Sequence, residues 1–230
     1  MASPAGGPHS PRPRRTQDER RASSRAIILA AALDELYEHG HAHSTTVTVQ
    51  RRAGVSRGRL LHHFPSRESL LIAAAQHLAA ERIADMEQWV VDSEYGGTTG
   101  TARCERAVEL LWGTFMQPYF WASMELWVAA RTNDDIRAEL LPAERRLGTA
   151  VAHVVATLFG PALSSHPAFD ECRELLFTSM RGVAMTYAIN PRDHETEPHL
   201  ASWKRLARRM LEVDDGDPAD ASGQHGQRNG

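Results

Sequence analysis

Residues 45–71 read TTVTVQRRAGVSRGRLLHHFPSRESLL, two short helical patterns on either side of a four-residue turn, followed by the start of a longer one. Thr45 or Thr46 can cap a first helix whose inward positions are Val49 and Ala53 and which ends at Gly54. Ser56 caps the second, which runs to about Phe64. Pro65 and Ser66 break it, and Ser66 caps a long helix with Glu68 and Ser69 in its first turn, reaching about Val91. The turn is Ala53-Gly54-Val55-Ser56. Gly54 permits a backbone conformation that a side chain would resist, Val55 fills the space between the helices, and Leu60 packs back onto Val49 and Ala53.

Two short helices joined by a tight turn containing glycine, the second helix basic, are the ingredients of a helix-turn-helix. With the apolar residues committed to packing, Arg57, Arg59 and His62 point away from the core beside a helix N-terminus whose free N–H groups suit a phosphate. Arginine grips guanine O6 and N7 in a bidentate way, whereas Arg67, at the start of the next helix, is placed for the nucleic-acid backbone. Residues 51–67 hold Arg51, Arg52, Arg57, Arg59 and Arg67 and no acid. The charge is divided along the whole chain: residues 1–67 balance at +6 and residues 68–230 at −9, within a net −3. A basic head on an acidic body implies a polyanion partner for the head alone.

Outward from this segment, the chain has 230 residues, 42% hydrophobic, 24% charged and 7% aromatic. That composition belongs to a globular protein and excludes wholesale disorder, collagen-like and coiled-coil classes. No apolar run reaches the roughly 18 residues of a membrane span, and the N-terminus lacks the apolar core of a signal peptide, so a cytoplasmic protein is expected. Cys104 and Cys172 form no Cys-x-x-Cys pair and read as two buried thiols. Residues 1–18 are expected to be a disordered basic arm and 214–230 a disordered acidic tail. Between them the periodicity is helical throughout, which makes the protein all-α. A first helix is expected from about Asp18 to Glu38, stopped by Gly40. After a loop at Tyr95–Thr101, further helices are expected at roughly 102–116, 118–131, 134–140, 142–159, 168–189 and 198–212, divided by Pro118, Asn133, Pro142, Gly160-Pro161, His166-Pro167 and Asn190-Pro191. The segment 118–131, PYFWASMELWVAAR, is apolar nearly all round and is expected at the centre of a second domain.

From Arg25 to Leu71, with ILAAA near its start, Glu38, Gly40 and Thr45, then AGVSRGRLLHHFPSRESLL from Ala53, the chain resembles the N-terminal domain of the TetR family of transcriptional regulators. The resemblance implies a three-helix DNA-binding domain over 19–66 and a helical effector-binding and dimerisation domain over 67–213. It implies a homodimeric, usually repressing protein that binds a double-stranded, palindromic operator and leaves it when a small-molecule effector binds. The DNA-contacting set expected is Thr45, Thr46, Ser56, Arg57, Arg59, His62, His63 and Arg67, with the arm arginines Arg12, Arg14, Arg15, Arg20 and Arg21 either following the minor groove or serving as a solubilising tail. Three positions depart from the family pattern. Leu61 stands where a phosphate-reaching Tyr is common, so that contact does not carry over. Thr46 and Gln50 replace an apolar residue and an Ala, and Arg67 replaces a Lys with its charge kept.

His39, His41 and His43 form HGHAH, which lacks a Cys or carboxylate at ligand spacing and is expected to be a solvated loop with no metal. No paired carboxylates stand out, and AGVSRG is not a G-x-S-x-G elbow, so no catalytic residues, cofactor or enzyme activity are expected. An effector pocket is expected from Trp112, Met116, Tyr119, Met124, Glu125 and Arg131, closed by Met180, Met185 and Tyr187, because ligand sites join apolar and aromatic walls to a few polar anchors. Plain core is the other reading of these aromatics, and a C-terminal domain that only dimerises is the corresponding function. The late helices 142–159 and 168–189 carry broad apolar faces with Gly148, Ala152, Gly182 and Ala184, suited either to a dimer interface or to burial within one chain.

Overall fold

Nine α-helices and one 3₁₀ turn, with no strand, make up the described residues, which are 17–92 and 99–213 of a computed structural model, side chains included except at 17–20, 82 and 85–92. The acidic tail, residues 95–98 of the expected loop, all but the last two residues of the basic arm, and the side chain of Arg20 lie outside them.

The helices are α1 (Gln17–His43), α2 (Thr46–Ala53), α3 (Arg57–His63), α4 (Arg67–Asp92), α5 (Gly100–Thr114), α6 (Pro118–Ala130), α7 (Asp134–Ser164), α8 (Phe169–Thr186) and α9 (His199–Met210), with the 3₁₀ turn at His194–Thr196. Gly40 does interrupt α1: its backbone sits at φ 71°, ψ 172°, a region open to glycine alone. The helical turn resumes for His41–His43, and Ser44 then closes it by donating both its N–H and its hydroxyl to the Gly40 carbonyl, at 3.2 and 2.8 Å.

The expected separation of helices 134–140 and 142–159 does not occur. Asn133 caps a single helix by accepting from the N–H groups of Asp135 and Ile136, and this helix passes through Pro142. Pro142 and Ala138, whose carbonyl loses its partner, are both exposed, which lets solvent meet that carbonyl, while Ile136, Leu140 and Ala143 are buried and hold the helix down across the proline. The break lies at Gly160 (φ 80°, ψ 165°), after which Pro161 opens a last turn. Arg103 of α5 fills the break, donating from Nε to the Leu158 carbonyl at 3.0 Å and from Nη2 to that of Thr157 at 2.9 Å. A Cβ on residue 160 would stand 2.5 Å from Arg103 Nε, on top of a backbone strain of about 1–3 kcal/mol. Gly160→Ala is therefore expected to lower unfolding stability by about 2 kcal/mol or more, read as a fall in the urea midpoint at unchanged slope.

Residues 147–164 of α7 contain no Asp, Glu, Lys or Arg, and by length and composition the helix could cross a bilayer, contrary to the expectation that no run would be so long. Here one side of the stretch is core: Val154, Val155, Leu158 and Phe159 are buried, while most of the stretch is not buried within this chain.

Two apolar clusters hold the molecule together. One gathers α5, α7, α8 and α9 around Leu111, Phe159, Leu176 and Trp203, with Phe120 and Met124 of α6. The other joins Ile28, Leu36, Val49, Leu60, Leu70 and Leu71 of α1–α4 to Ala122, Leu126 and Ala130 of α6 and to Ile136 and Leu140 of α7. Residues 120 and 124 lie on the opposite side of a 3.6-residue helix from 122 and 126, so α6, apolar all round, serves both clusters. The second cluster runs straight across position 66/67. Both cysteines are buried, and burial pushes the thiols up to about 12 for Cys104 and about 11 for Cys172, which leaves them unreactive.

Candidate DNA interface and effector cavity

The two short helices are built as their sequence dictates. Thr45 and Thr48 cap α2 reciprocally, Thr48 N–H donating to Thr45 Oγ1 at 3.1 Å and Thr45 N–H to Thr48 Oγ1 at 2.9 Å. Gly54 ends α2 in the left-handed conformation (φ 64°, ψ 31°), its N–H bonded to the carbonyls of Gln50 and Arg51. Ser56 Oγ accepts from the Arg59 N–H and starts α3. Val49 and Leu60 are fully buried, with Ala53 and Val55 packed against them. Geometry then leaves Arg57, Gly58, Arg59, Leu61 and His62 on the open side of α3, with Thr45 and Ser56 also exposed and Thr46 half-buried.

His62 faces outward and has company that the sequence did not announce: Nη2 of Arg21, from α1, lies 2.8 Å from its Nε2. This brings one arginine expected in the arm onto the same surface as α3. His63 is half-buried, its ring 5.5 Å from that of His62 and 6.2 Å from that of Phe64. Burial, then the charges of His62, Arg21, Arg25 and Arg59, hold its pKa below the usual histidine value. Arg52 turns back to α1, where it pairs with Glu35 at 3.1 Å and Glu38 at 2.5 Å.

Arg67 differs from its expected phosphate role. Its guanidinium points inward, donating to the carbonyls of Ser44 (2.6 Å) and His41 and to Glu68 (3.1 Å), with His41 Nε2 at 3.2 Å. The α1–α2 connection offers two carbonyls that no helix satisfies, and the nearest long donor is the first residue of α4. The HGHAH stretch, expected to be a solvated loop, is likewise engaged: the His41 N–H donates to Glu125 Oε2 of α6 at 2.8 Å, and burial first, then Arg67, lowers the His41 pKa. Glu125, expected as a pocket anchor, thus belongs to the junction of α1 and α6. A Cβ on Gly40 would stand 3.0 Å from Glu125 Oε2, so a second reason for that glycine is close approach. Among the described residues no group of three or more His, Cys, Asp or Glu is arranged to hold a metal.

A cavity of about 560 Å³ lies among α4 to α8, walled by Ile83, Leu111, Phe115, Tyr119, Phe120, Met124, Trp127, Val151, Val154 and Phe177. Its polar groups are Thr114, Ser123 and Thr178 and the charged Glu144, Arg145, Arg173, Glu174 and Arg181. The Arg181 guanidinium lies 4.7 Å from the Trp127 ring centroid. Burial raises the Glu144 pKa against the opposing effects of a Trp127 hydrogen bond and Arg181, and burial lowers that of Arg181.

Of the residues expected in a pocket, Tyr119 and Met124 line this cavity. The others lie elsewhere. Trp112 is buried with its indole N–H donated to the His194 carbonyl at 2.9 Å, and its ring lies 4.9 Å from that of Trp203. Tyr187 donates to buried Glu197 at 2.5 Å, and burial followed by that bond pushes its pKa up to about 12. Met180 is fully buried in the core, Met116 packs at its edge, and Arg131 and Met185 are exposed. Glu144, Phe177 and Arg181 line the cavity without having been expected there. The spacing of Arg173, Phe177 and Arg181 at i, i+4 and i+8, which places them on one face of a helix, was the available signal.

Comparison with known proteins fits this geometry. Residues 28–74 match the family of bacterial regulatory proteins, tetR family. The chain is 30% identical over 173 residues to the HTH-type transcriptional regulator CymR of Pseudomonas putida, covering 75% of this chain and 83% of that one. It is 32% identical over 133 residues to the HTH-type transcriptional repressor AcnR of Corynebacterium glutamicum, covering 56% and 62%. Its fold is that of the transcriptional regulator FadR from Bacillus subtilis, crystallised with stearoyl-CoA: TM-score 0.58 at 14% identity, over 82% of this chain and 98% of that one. The exposed basic α3, the helical C-terminal half and the extent of these matches lead to one assignment: the chain belongs to the TetR family and is a helix-turn-helix, DNA-binding transcriptional regulator.

Proposed function

We propose that the protein is a cytoplasmic repressor that binds a palindromic operator as a homodimer and is released by a small molecule held in the α4–α8 cavity. The observation that carries this reading is the double service of α6. Its Phe120, Met124 and Trp127 line the cavity, its Leu126 is buried among the N-terminal helices, and its Glu125 receives the His41 N–H. A ligand that shifts α6 therefore acts on α1, the helix against which α2 and α4 pack, and a coupling of about 1–3 kcal/mol suffices for a working switch. Relatives support the type of function: AcnR is named a repressor, and FadR holds stearoyl-CoA.

On DNA, Ser56, Arg57, Arg59 and His62 face the bases, while Thr45, Thr46, His63 and Arg21 lie toward the phosphates. Arg67 acts indirectly, by fixing the α1–α2 connection. The homodimer draws support from Leu175, Gly182 and Met185 of α8 and Ile189 just beyond it, which are exposed, and from the largely unburied, uncharged stretch of α7. Selection of bound sites from a random duplex pool tests the reading. The expected result is a two-fold symmetric consensus with half-sites about one helical turn apart. Binding that follows salt concentration with no enriched sequence would reduce the head to a generic polyanion grip.

A further inference from the structure

The cavity wall contributed by α8 presents Arg173, Phe177 and Arg181 in register, one helical turn apart. Among the described residues Arg181 makes no hydrogen bond or ion pair; its guanidinium lies over Trp127, partly withdrawn from water, and Glu144 acts on it only through its charge. Arg173 binds Asp170 through Nη2 at 3.0 Å, yet its Nε is buried without an acceptor. Guanidinium donors in a desolvated setting are costly to leave unmet, and their planar fork matches planar or tetrahedral oxyanions, a carboxylate among them, in a bidentate way.

The acids on the same walls do not restore the balance. Glu174 is exposed, and Glu144 is pushed by burial toward its neutral form while taking a hydrogen bond from Trp127. A cationic guest would face the guanidinium groups of Arg173 and Arg181, with exposed Arg145 beyond them, and one weakened carboxylate to receive it. The remaining surface is aromatic, with Phe115 and Phe120 in edge-to-face contact at 5.3 Å and Phe115 and Phe177 at 5.7 Å.

We infer that the cavity takes a hydrophobic organic anion, a carboxylate whose head group docks on Arg181 and whose ring or chain lies among Phe115, Phe120 and Phe177. This inference rests on the effector reading above and specifies its ligand class. Glu144 acts on Arg181 through its charge alone, and burial pushes it toward the neutral form, which lessens its competition with a guest carboxylate.

Three probes of one shape test it on the full-length protein by titration calorimetry: 4-phenylbutyrate, 4-phenylbutanol and 4-phenylbutylamine. The acid is expected to bind about tenfold or more tightly than the alcohol, with the amine weakest. In Arg181→Gln, checked for an unchanged melting temperature, the acid is expected to lose that advantage while the alcohol binds as before. The order among the three probes on the unaltered protein stands even where the variant folds poorly. An alcohol as tight as the acid, or an amine tighter than both, overturns the anion assignment and leaves the cavity as an effector site. If none of the three binds at millimolar concentration, the anion assignment and the effector reading are both overturned.

Discussion

Arg57→Ala and Arg59→Ala are each expected to abolish most of the operator affinity while leaving the fold untouched. Both side chains are exposed on α3, and the acid-free run around them leaves their charge to the surface. A bidentate contact to guanine is worth about 1–3 kcal/mol. A symmetric dimer uses each residue twice, so the expected loss is about 2–6 kcal/mol, roughly 30-fold to 10⁴-fold in Kd. Fluorescence anisotropy at fixed salt reads it. A base-reading arginine will blur the selected consensus at its own position, whereas one that only neutralises phosphate will weaken all sequences alike and lower the salt slope by about one. Arg52→Ala is the contrast: its pairs with Glu35 and Glu38 make it a fold residue, so stability falls and the consensus keeps its definition. An Arg57→Ala, Arg59→Ala double variant that still selects the same palindrome would remove α3 from base recognition.

The second large effect is on folding. Leu126→Ala is expected to reduce unfolding stability by about 2–5 kcal/mol, since Leu126 is only 1% exposed and the cluster around it comes from α1, α4, α6 and α7. Because that cluster crosses position 66/67, the slow-exchanging amides of α1 near Ile28–Leu36 will lose protection together with those of α6, in one transition. Val128→Ala, two residues on and 60% exposed, should change stability by less than about 0.5 kcal/mol. Retained protection in α1 of Leu126→Ala would show that the N-terminal helices fold as a separate unit.

The sequence and the structure agree best where interactions are local. Gly54, the capping residues Thr45, Ser56 and Ser66, and the inward positions Val49 and Leu60 all sit within a few residues of their partners, so their geometry follows from helix periodicity and cap chemistry. Pro142 misled for a related reason. A proline is costly in a helix, but the cost depends on whether the freed carbonyl reaches water, and that is a property of the surface and not of the proline.

The polar junction and the cavity were hidden for a different reason. Glu125 and His41 are 84 positions apart, and Arg67 meets the His41 and Ser44 carbonyls across 26 and 23. A carboxylate beside aromatics in a one-dimensional pattern reads as a pocket anchor, and an arginine opening a helix reads as a phosphate contact. Each was claimed by an unsatisfied backbone group nearer in space.

The residues alone, then, determined an all-α chain, a helix-turn-helix with its basic face outward, and the family to which both belong, because caps, turns and amphipathic spacing act over distances shorter than one helix. Tertiary packing settled which aromatics wall a cavity and which are core, that α6 belongs to both halves, and that the side chains of Arg67 and Glu125 hold backbone groups of the α1–α2 connection. Those outcomes depend on which helix faces approach one another, and pairings between segments tens of residues apart leave no periodic mark in the chain.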